Sequence, residues 1–335
     1  MMKLRKILDG MMHPGKAINY IIRNNLPRFY NNQYNTVSVS RLISLRLNSK
    51  IQSHFYDFEC VDLMNEDWDN LIILDGCRYD IYQSVISEYD DLLYPNTLTD
   101  TFSPGSSSPE TLTKAFSADT HHDTVYVSAN PFTSTIPQET FHATHDLVND
   151  DNYWSNQKKT VTPEVMKQAV VDFSDKYPHK RVIAHFMQPH HPFLGESSGE
   201  IQFNRGVYGE RDKQFNTDPW MNAYLSTQVN HEKLLTAYRE NIELALPHVM
   251  EVIDTLEGKS IITSDHANLI GDRGYPIPVR GYGHPNNIVS KKLRQVPWHE
   301  FPSKNRKKII KDSPIGLSHD EQPKISNRLT QLGYR

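Results

Sequence analysis

The feature that most constrains the fold is a set of short apolar runs that alternate with helical patterns. The runs are NLIIL at 70–74, VYVS at 125–128, RVIAHFM at 181–187 and SIIT at 260–263, and helical patterns occupy 162–173 and 232–256. Short apolar runs bounded by turn residues are typical of buried strands. Strands that alternate with helices predict an α/β fold with a mostly parallel central sheet and helices on both faces.

Aspartate and histidine follow these predicted strands where each strand ends. Asp75 follows the first strand, His190 follows the third, and Asp265 and His266 follow the fourth. Ligands of such sheets bind beyond the carboxyl ends of the strands. Buried charged groups are costly unless they are paired or bind a metal. Because three separate strands deliver these groups to one edge, we predict a metal site there.

The chemistry of the set indicates which ions suit it. Asp75 and Asp265 offer carboxylate oxygens and His266 offers an imidazole nitrogen. This combination suits Zn²⁺ or Mn²⁺ better than an all-oxygen calcium cage. We predict one or two divalent ions, Zn²⁺ or Mn²⁺ first, with Mg²⁺ or Ca²⁺ as alternatives. A single Asp-His pair is also typical of an ordinary turn, so the prediction depends on the whole set.

A serine-rich segment, SPGSSSPETLTKAF at 103–116, has the pattern of a helix start. Ser108 fits the N-cap and Pro109 fits the first helical position. Ser107 then lies just before a helix N-terminus, where an anion is stabilised. A serine there can attack a phosphorus or sulfur centre when a metal lowers its pKa. A plain capped loop has the same local sequence.

A late histidine, His284, lies in RGYGHP at 280–285. The glycines allow the backbone to approach a ligand closely. His284 is therefore a candidate to bind a second metal or a substrate oxyanion, and a histidine in an ordinary turn is the alternative.

Positive charge is concentrated near the N-terminus. Residues 1–50 contain nine Lys and Arg and one acid, Asp9, in a chain whose net charge is −4. A second basic stretch occupies 291–311. Such segments contact anionic membranes, acidic polymers or partner proteins, or remain solvated without specific contacts. We predict an anionic membrane surface or polymer as a partner of residues 1–50, and no specific nucleic acid.

The composition is that of an ordinary globular protein with three parts. We predict a basic N-terminal extension at 1–60, a catalytic domain at 61–290 and a basic C-terminal segment at 291–335. No apolar run approaches the ~18 residues that span a bilayer, and the first residues lack the apolar stretch of a cleaved signal peptide. Because two cysteines, Cys60 and Cys77, cannot form a disulfide framework, we expect a cytoplasmic protein, peripheral at the membrane through its basic arm.

The order of these residues resembles the alkaline-phosphatase superfamily, and within it the sulfatase-like branch that includes phosphoethanolamine and phosphoglycerol transferases. The matching pieces, in order, are Asp75, Ser107, HFMQPHHP at 185–192, SDH at 264–266 and His284. The opening LDGCRYD at 74–80 is similar to that of a prokaryotic sulfatase-like subgroup. The resemblance covers residues 67–285 and implies an enzyme with a sulfatase-like α/β fold.

The resemblance implies a role for each matched residue. The metal ligands would be three residues at strand ends and one at a helix start, namely Asp75, Asp265, His266 and Ser107. Ser107 would also be the nucleophile. His190 would contact the substrate anion or the leaving group, and His284 would serve a second metal or the substrate. Arg78 would contact substrate, or pair with Asp80 to shape the loop.

Two departures from classical sulfatases bear on the reaction. Gly76 stands where they have a second acid, and Thr111 stands where the formylglycine signature needs arginine. The resemblance therefore favours an unmodified serine that acts on phosphate esters or phosphodiesters by hydrolysis or transfer, with an anionic ester as the substrate. The alternatives are a sulfatase, and a binding protein that keeps the fold without turnover.

Overall fold

The computed structural model describes residues 36–55, 58–89, 97–200, 203–204, 219–225 and 228–315. Most of the predicted basic arm, residues 1–35, lies outside the described residues, as does the end of the predicted C-terminal segment, 316–335. Among the described residues, no helix combines the length and the apolar character needed to cross a membrane.

Seven strands form the central sheet. In chain order the strands are β1 Asn70–Leu74, β2 Leu98–Phe102, β3 His121–Ser128, β4 Phe141–Asp146, β5 Arg181–Phe186, β6 Phe203–Asn204, β7 Gln228–Val229, β8 Ser260–Thr263, β9 Leu269–Arg273, β10 Arg280–Gly283 and β11 Gln295–Phe301. The sheet order is β2-β11-β8-β1-β5-β3-β4, and β9 pairs with β10 and β6 with β7 in separate two-stranded sheets. The five strands from β8 to β4 pair in parallel, which confirms the predicted mostly parallel sheet.

Helices cover both faces of this sheet, as predicted. They are α1 Thr36–Gln52, α2 Tyr79–Ile86, α3 Ser108–Phe116, α4 Pro163–Lys176, α5 Pro219–Leu225, α6 His231–Thr255 and α7 Lys291–Arg294. All five residues of β1 are buried. Ile72 and Leu74 pack with α2, α4 and α6 in one cluster, whereas Leu71 and Ile73 pack with α3 and residues 61–68 in another. An apolar run without alternation is what a strand buried on both faces requires.

The antiparallel end of the sheet is not evident from the sequence. Strand β11 runs antiparallel to both β8 and β2, although the sequence assigns residues from 291 onwards to a separate basic segment. Its sequence, QVPWHEF, contains Pro297, which usually excludes an interior strand. The proline is tolerated because only His299–Phe301 pair with β8. The fold therefore continues past residue 290.

A tight turn after β1 is fixed by a tyrosine from α6. Gly76 has a φ of 68°, and a Cβ atom there would lie 2.4 Å from the Asn268 amide nitrogen. The Tyr238 hydroxyl donates to the Gly76 carbonyl at 2.5 Å and accepts from the Arg78 N–H at 2.9 Å. Tyr238 is fully buried, so one phenol pairs two backbone groups that water cannot reach. The turn fixes Asp75 at the end of the strand.

We predict that Tyr238→Phe lowers the free energy of unfolding by about 1–3 kcal/mol, because it leaves buried backbone groups without their partner. Urea unfolding followed by fluorescence measures the change. Tyr275→Phe is the matched control, since Tyr275 is 76% exposed. Equal stability of the two variants would show that the phenol does not hold the turn.

Candidate metal centre and active site

Two neighbouring strands, β1 and β8, bring three of the predicted ligands together at their carboxyl ends. Strand β1 lies between β8 and β5, so Asp75, after β1, lies beside Asp265 and His266, after β8. All three side chains are fully buried, and one ligand atom of each lies within 4.8 Å of the others. The grouping that the sequence predicted is therefore present.

The distances fit a divalent cation. Nε2 of His266 lies 3.6 Å from Oδ1 of Asp75 and 3.4 Å from Oδ2 of Asp265. Ligand atoms held tetrahedrally at 2.0–2.2 Å from zinc lie roughly 3.3–3.6 Å apart. Among the described residues, these same two carboxylate oxygens accept no hydrogen bond of standard geometry. Buried, unsatisfied oxygens that converge on one imidazole nitrogen can bind a metal ion.

The remaining carboxylate oxygens are anchored by neighbouring groups. Oδ2 of Asp75 accepts a hydrogen bond from the Asn130 amide at 2.6 Å. Oδ1 of Asp265 accepts from the backbone N–H groups of Gly76 and His266, each at 3.0 Å. Each carboxylate is thus held by one oxygen while the other points into the site, as metal ligands generally are.

A backbone contact sets the tautomer of His266. Its Nδ1 lies 3.0 Å from the Ala267 carbonyl oxygen, so Nδ1 carries the proton and donates to that oxygen. The lone pair of Nε2 is then directed towards the two carboxylates. A neutral imidazole in this tautomer is the form that binds metals.

The carboxyl groups of Asp75 and Asp265 have different affinities for protons. Burial raises the pKa of Asp75, and the charge of Asp265 raises it further. Burial also disfavours ionisation of Asp265, but positive charge on His266 or His185, when either is protonated, and the hydrogen bond from the Gly76 N–H lower the pKa of Asp265. In the absence of a cation, a proton bound by this pair therefore lies on Asp75.

Ser108, rather than Ser107, contacts the ligand group. Helix α3 begins at Ser108, and Ser107 is its N-cap with extended backbone and no side-chain capping bond. The prediction that Ser108 is the N-cap is therefore wrong by one residue. Oγ of Ser108 lies 3.1 Å from Nε2 of His266, whereas Oγ of Ser107 is buried and has no hydrogen bond among the described residues. Sequence patterns place helix ends only to within one or two residues.

The third serine of the run, Ser106, has a structural role. Its hydroxyl donates to Glu110 at 2.9 Å and accepts from the Ile288 N–H at 3.2 Å. On the next turn of the chain, the Thr111 hydroxyl donates to the Asp265 carbonyl oxygen at 2.6 Å. These contacts hold the start of α3 against the segment that follows β8 and fix the position of Ser108.

Two further histidines lie beside the ligand group. Nε2 of His190 and Nε2 of His284 are 2.9 Å apart, and the rings of His284 and His266 are 4.3 Å apart. Burial lowers the pKa of His190 to about 4 and lowers that of His284 well below its ordinary value. Both imidazoles are therefore neutral at neutral pH. The sequence predicted both residues for this site, and both are adjacent to it.

Arg78 is used within the fold. Its guanidinium donates to Asp80 at 2.9 and 2.6 Å and to Asp272 at 2.7 Å. The side chain is 8% exposed. The predicted ion pair with Asp80 is therefore present, whereas the contact of Arg78 with substrate stays a prediction. Two carboxylates therefore fix the position of the guanidinium.

Several groups that support the site were missed in the sequence. Asn130, which holds Asp75, follows β3 and could have been found by the same strand-end rule. His185 lies inside β5, with Nδ1 2.7 Å from the Tyr126 hydroxyl and Nε2 3.8 Å from Oδ2 of Asp265. A histidine inside a strand gives no signal of this contact, because the neighbour is set by sheet order.

No family model and no curated protein matches the sequence. Among solved structures, the chain is similar to EptA, the integral membrane lipooligosaccharide phosphoethanolamine transferase of Neisseria meningitidis, at 12% identity over 90% of this chain and 60% of that chain, with a TM-score of 0.49. The chain thus spans 60% of the length of EptA.

Two further structures are similar at comparable levels. One is the zinc complex of the C-terminal periplasmic domain of EptC from Escherichia coli, at 11% identity over 70% of this chain and 72% of that chain, with a TM-score of 0.42. The other is a 2-O GAG sulfatase, at 11% identity over 73% of this chain and 65% of that chain, with a TM-score of 0.43. Function must be argued from the site, since one fold hosts many activities.

The prediction of a cytoplasmic protein is contradicted by this comparison. The EptC domains of Escherichia coli and Campylobacter jejuni are periplasmic. The prediction rested on Cys60 and Cys77, which are both free thiols. Two unpaired cysteines are compatible with either compartment, so this signal could not decide the location.

We predict that Asp265→Asn lowers bound divalent metal by at least about tenfold at equal free metal, because the amide is a poor replacement for an anchored carboxylate. Metal content after equilibrium dialysis against Zn²⁺ or Mn²⁺ measures the effect. Asp254→Asn, at an exposed position on α6, is the matched control. Full metal occupancy in Asp265→Asn would show that the Asp265 carboxylate is not a metal ligand.

The metal-free protein should lose stability as the pH rises. The pKa of Asp75 is raised in the folded state, so protonated Asp75 contributes stability that is complete below its ordinary pKa and is lost as pH rises through the folded pKa. In the presence of EDTA, the Tm of the wild type should therefore fall relative to that of Asp75→Asn as the pH rises above the ordinary carboxyl pKa of 3.8. Parallel Tm curves for the two proteins would contradict the shift.

Proposed function

We propose that the chain is a metal-dependent phosphoester or phosphodiester hydrolase or transferase of the alkaline-phosphatase superfamily, in its sulfatase-like branch, with Ser108 as the nucleophile. One observation carries the proposal. The Ser108 hydroxyl lies 3.1 Å from the metal-facing nitrogen of His266, at the N-terminus of α3. A hydroxyl within a metal ligand group and at a helix start has what phosphoryl transfer requires of a nucleophile.

Asp75, Asp265 and His266 would hold the cation, with the Ser108 hydroxyl as a fourth group. Two carboxylates, one imidazole and one hydroxyl favour Zn²⁺ or Mn²⁺. When bound, the cation would offset the repulsion of the carboxylates and stabilise negative charge on substrate oxygens. A second ion or a substrate oxygen would be bound by His190 and His284, whose neutral nitrogens meet at 2.9 Å.

The residues of the chain account for both halves of a two-step displacement. Oγ of Ser108 forms a bond to phosphorus while the bond from phosphorus to the leaving oxygen breaks. The neutral His190–His284 pair takes up the serine proton and passes it to the leaving oxygen. Water or an acceptor hydroxyl then displaces Ser108 from the phosphoserine. The same pair takes a proton from that water or hydroxyl and returns it to Ser108.

The first turn of α3 stabilises the transferring group. Backbone N–H groups at a helix start are directed at an anion, and the positive end of the helix dipole lies with them. The Thr111 hydroxyl holds this turn against Asp265, so donors and ligands keep their relative positions. Such preorganised donors stabilise charge that develops in the transition state.

Two features favour phosphate over sulfate esters. Counted from Ser108, the formylglycine signature needs a proline at position 110 and an arginine at position 112, where the chain has Glu110 and Leu112. Counted from Ser107, Thr111 takes the place of the arginine, and its hydroxyl donates to the Asp265 carbonyl oxygen. At Gly76, the Asn268 amide fills the space that an acidic side chain would need. The group therefore has two carboxylates and an unmodified serine. A sulfatase would be the alternative within the same site.

A comparison of adjacent serines tests the nucleophile. Ser108→Ala should reduce turnover of nitrophenyl phosphate or its diester by about three or more powers of ten, as expected for loss of a covalent nucleophile. Ser107→Ala is the matched control and should retain turnover within about tenfold, since an unbonded serine hydroxyl contributes little. Metal content should stay close to the wild-type level in Ser107→Ala.

Mass spectrometry of the acid-quenched, metal-loaded enzyme identifies the modified residue directly. We expect a phosphoryl group on Ser108. A phosphoryl group on Ser107 would show that Ser107, the residue that the sequence predicted, is the nucleophile. A formylglycine mass, with turnover of nitrophenyl sulfate in place of phosphate, would support a sulfatase.

A further inference from the structure

Helix α1 has two faces of different character. Leu45, Asn48 and Ser49 are buried against the domain, whereas the neighbouring positions Arg46, Leu47, Lys50 and Ile51 are exposed. Residues three and four positions apart lie on one side of a helix, so these buried residues form the face that packs on the domain. Its outward face alternates basic and large apolar side chains. An ordinary solvated helix face has no need of the apolar ones.

The exposed apolar side chains form a ridge, defined here as Leu47, Ile51, Phe55 and Tyr275. Their exposed fractions are 48%, 39%, 78% and 76%. Leu47 and Ile51 are four residues apart on one helix face, and Phe55 continues that spacing just past the helix end. The Gln52 amide donates to the Tyr275 carbonyl oxygen at 2.7 Å, which places Tyr275 beside the last helical turn.

The charges exposed along the ridge are positive, and Asp272, which lines the adjoining cavity, is paired with Arg78. Residues 36–55 contain no Asp or Glu, while Arg46 and Lys50 are exposed between the apolar residues. Across the helix, Arg273 and Lys291 are also exposed. Among the described residues, none of these four cations belongs to an ion pair. Their charges are therefore available to an anionic partner.

A cavity of about 220 Å³ adjoins the ridge. Leu45, Asn48 and Gln52 of α1 line one side, and Arg273 and Lys291 line the other. The cavity is thus lined by apolar and polar side chains of α1 and by two cations, Arg273 and Lys291. This arrangement leaves room for an anionic headgroup between the ridge and the cations.

We propose that the face formed by the ridge and its four cations docks on an anionic lipid bilayer. The four positive charges favour an anionic partner. The alternation of apolar and basic side chains favours a lipid bilayer. Aromatic and aliphatic side chains enter the boundary between headgroups and acyl chains, while Lys and Arg beside them contact phosphates. A flat acidic protein would leave Phe55 and Tyr275 in water.

This face lies close to the candidate active site. Asp272 and Ile288 line the same cavity. Asp272 pairs with Arg78, in the loop that follows Asp75, and the Ile288 N–H donates to Ser106 in the serine run. A docked surface would therefore present phosphate-bearing headgroups near the serine helix. Docking itself does not depend on the proposed reaction.

Co-sedimentation of the full chain with vesicles tests the docking face. Phosphatidylglycerol–phosphatidylcholine vesicles should bind the wild type, and pure phosphatidylcholine vesicles should not. Raising the salt to about 0.5 M shortens electrostatic screening to a few ångströms. Binding that remains then reports the apolar ridge. The basic residues 1–35 are the same in every variant, so their contribution cancels.

The ridge variant is Leu47→Ser with Phe55→Ser. Its matched control is Leu235→Ser with Leu244→Ser on α6, where the side chains are 41% and 43% exposed. We expect the ridge variant to lose at least about five-fold in partitioning at high salt, with the control unchanged. Arg46→Glu with Lys50→Glu should lose binding at low salt, whereas Lys158→Glu with Lys308→Glu should not.

Three results would overturn the proposal. One is equal partitioning of the ridge variant and the wild type at high salt. Another is absence of wild-type binding to anionic vesicles at low salt. A third is a wild-type dimer that Leu47→Ser with Phe55→Ser dissociates, which would make the ridge an interface between two copies. Turnover of a soluble phosphoester should be unchanged in the ridge variant, so failure of docking and failure of catalysis are distinguishable.

Discussion

The repulsion between the buried carboxylates of Asp75 and Asp265 is the constraint to which the rest of the site responds. Neither side chain reaches solvent, and each has an oxygen directed at His266. Charges cannot be buried in this way unless something compensates them. A proton on Asp75 compensates part of the charge, and a divalent cation compensates it fully. The geometry of the site can therefore accommodate a metal ion.

The scaffold meets this constraint with backbone and neutral side chains. Asn130 donates to one oxygen of Asp75, and the Gly76 N–H donates to one oxygen of Asp265. Tyr238, on α6, donates to the Gly76 carbonyl in the turn after Asp75. Because none of these partners carries a charge, they orient the carboxylates without neutralising them. The negative charge can therefore attract a cation. Arg78, in the loop after Asp75, pairs with Asp80 and Asp272 instead.

The sequence predicts the parallel part of the fold and most of the site for one reason. Strands buried on both faces read as apolar runs, and polar residues after them meet at one edge, which identifies Asp75, Asp265, His266 and His190. The rule does not detect the antiparallel strand Gln295–Phe301, because Pro297 and the basic residues around it do not have the pattern of a buried strand. Its place is set by pairing with distant strands, which no local pattern records.

The serine run shows where local patterns lose resolution. Ser107 and Ser108 have the same side chain and differ by one position in the helix, yet only Ser108 faces His266. That direction is fixed by contacts from elsewhere in the chain, such as Ile288 with Ser106 and Thr111 with Asp265. Residue type and spacing therefore predict a serine at this site, while tertiary contacts select which serine lies against His266.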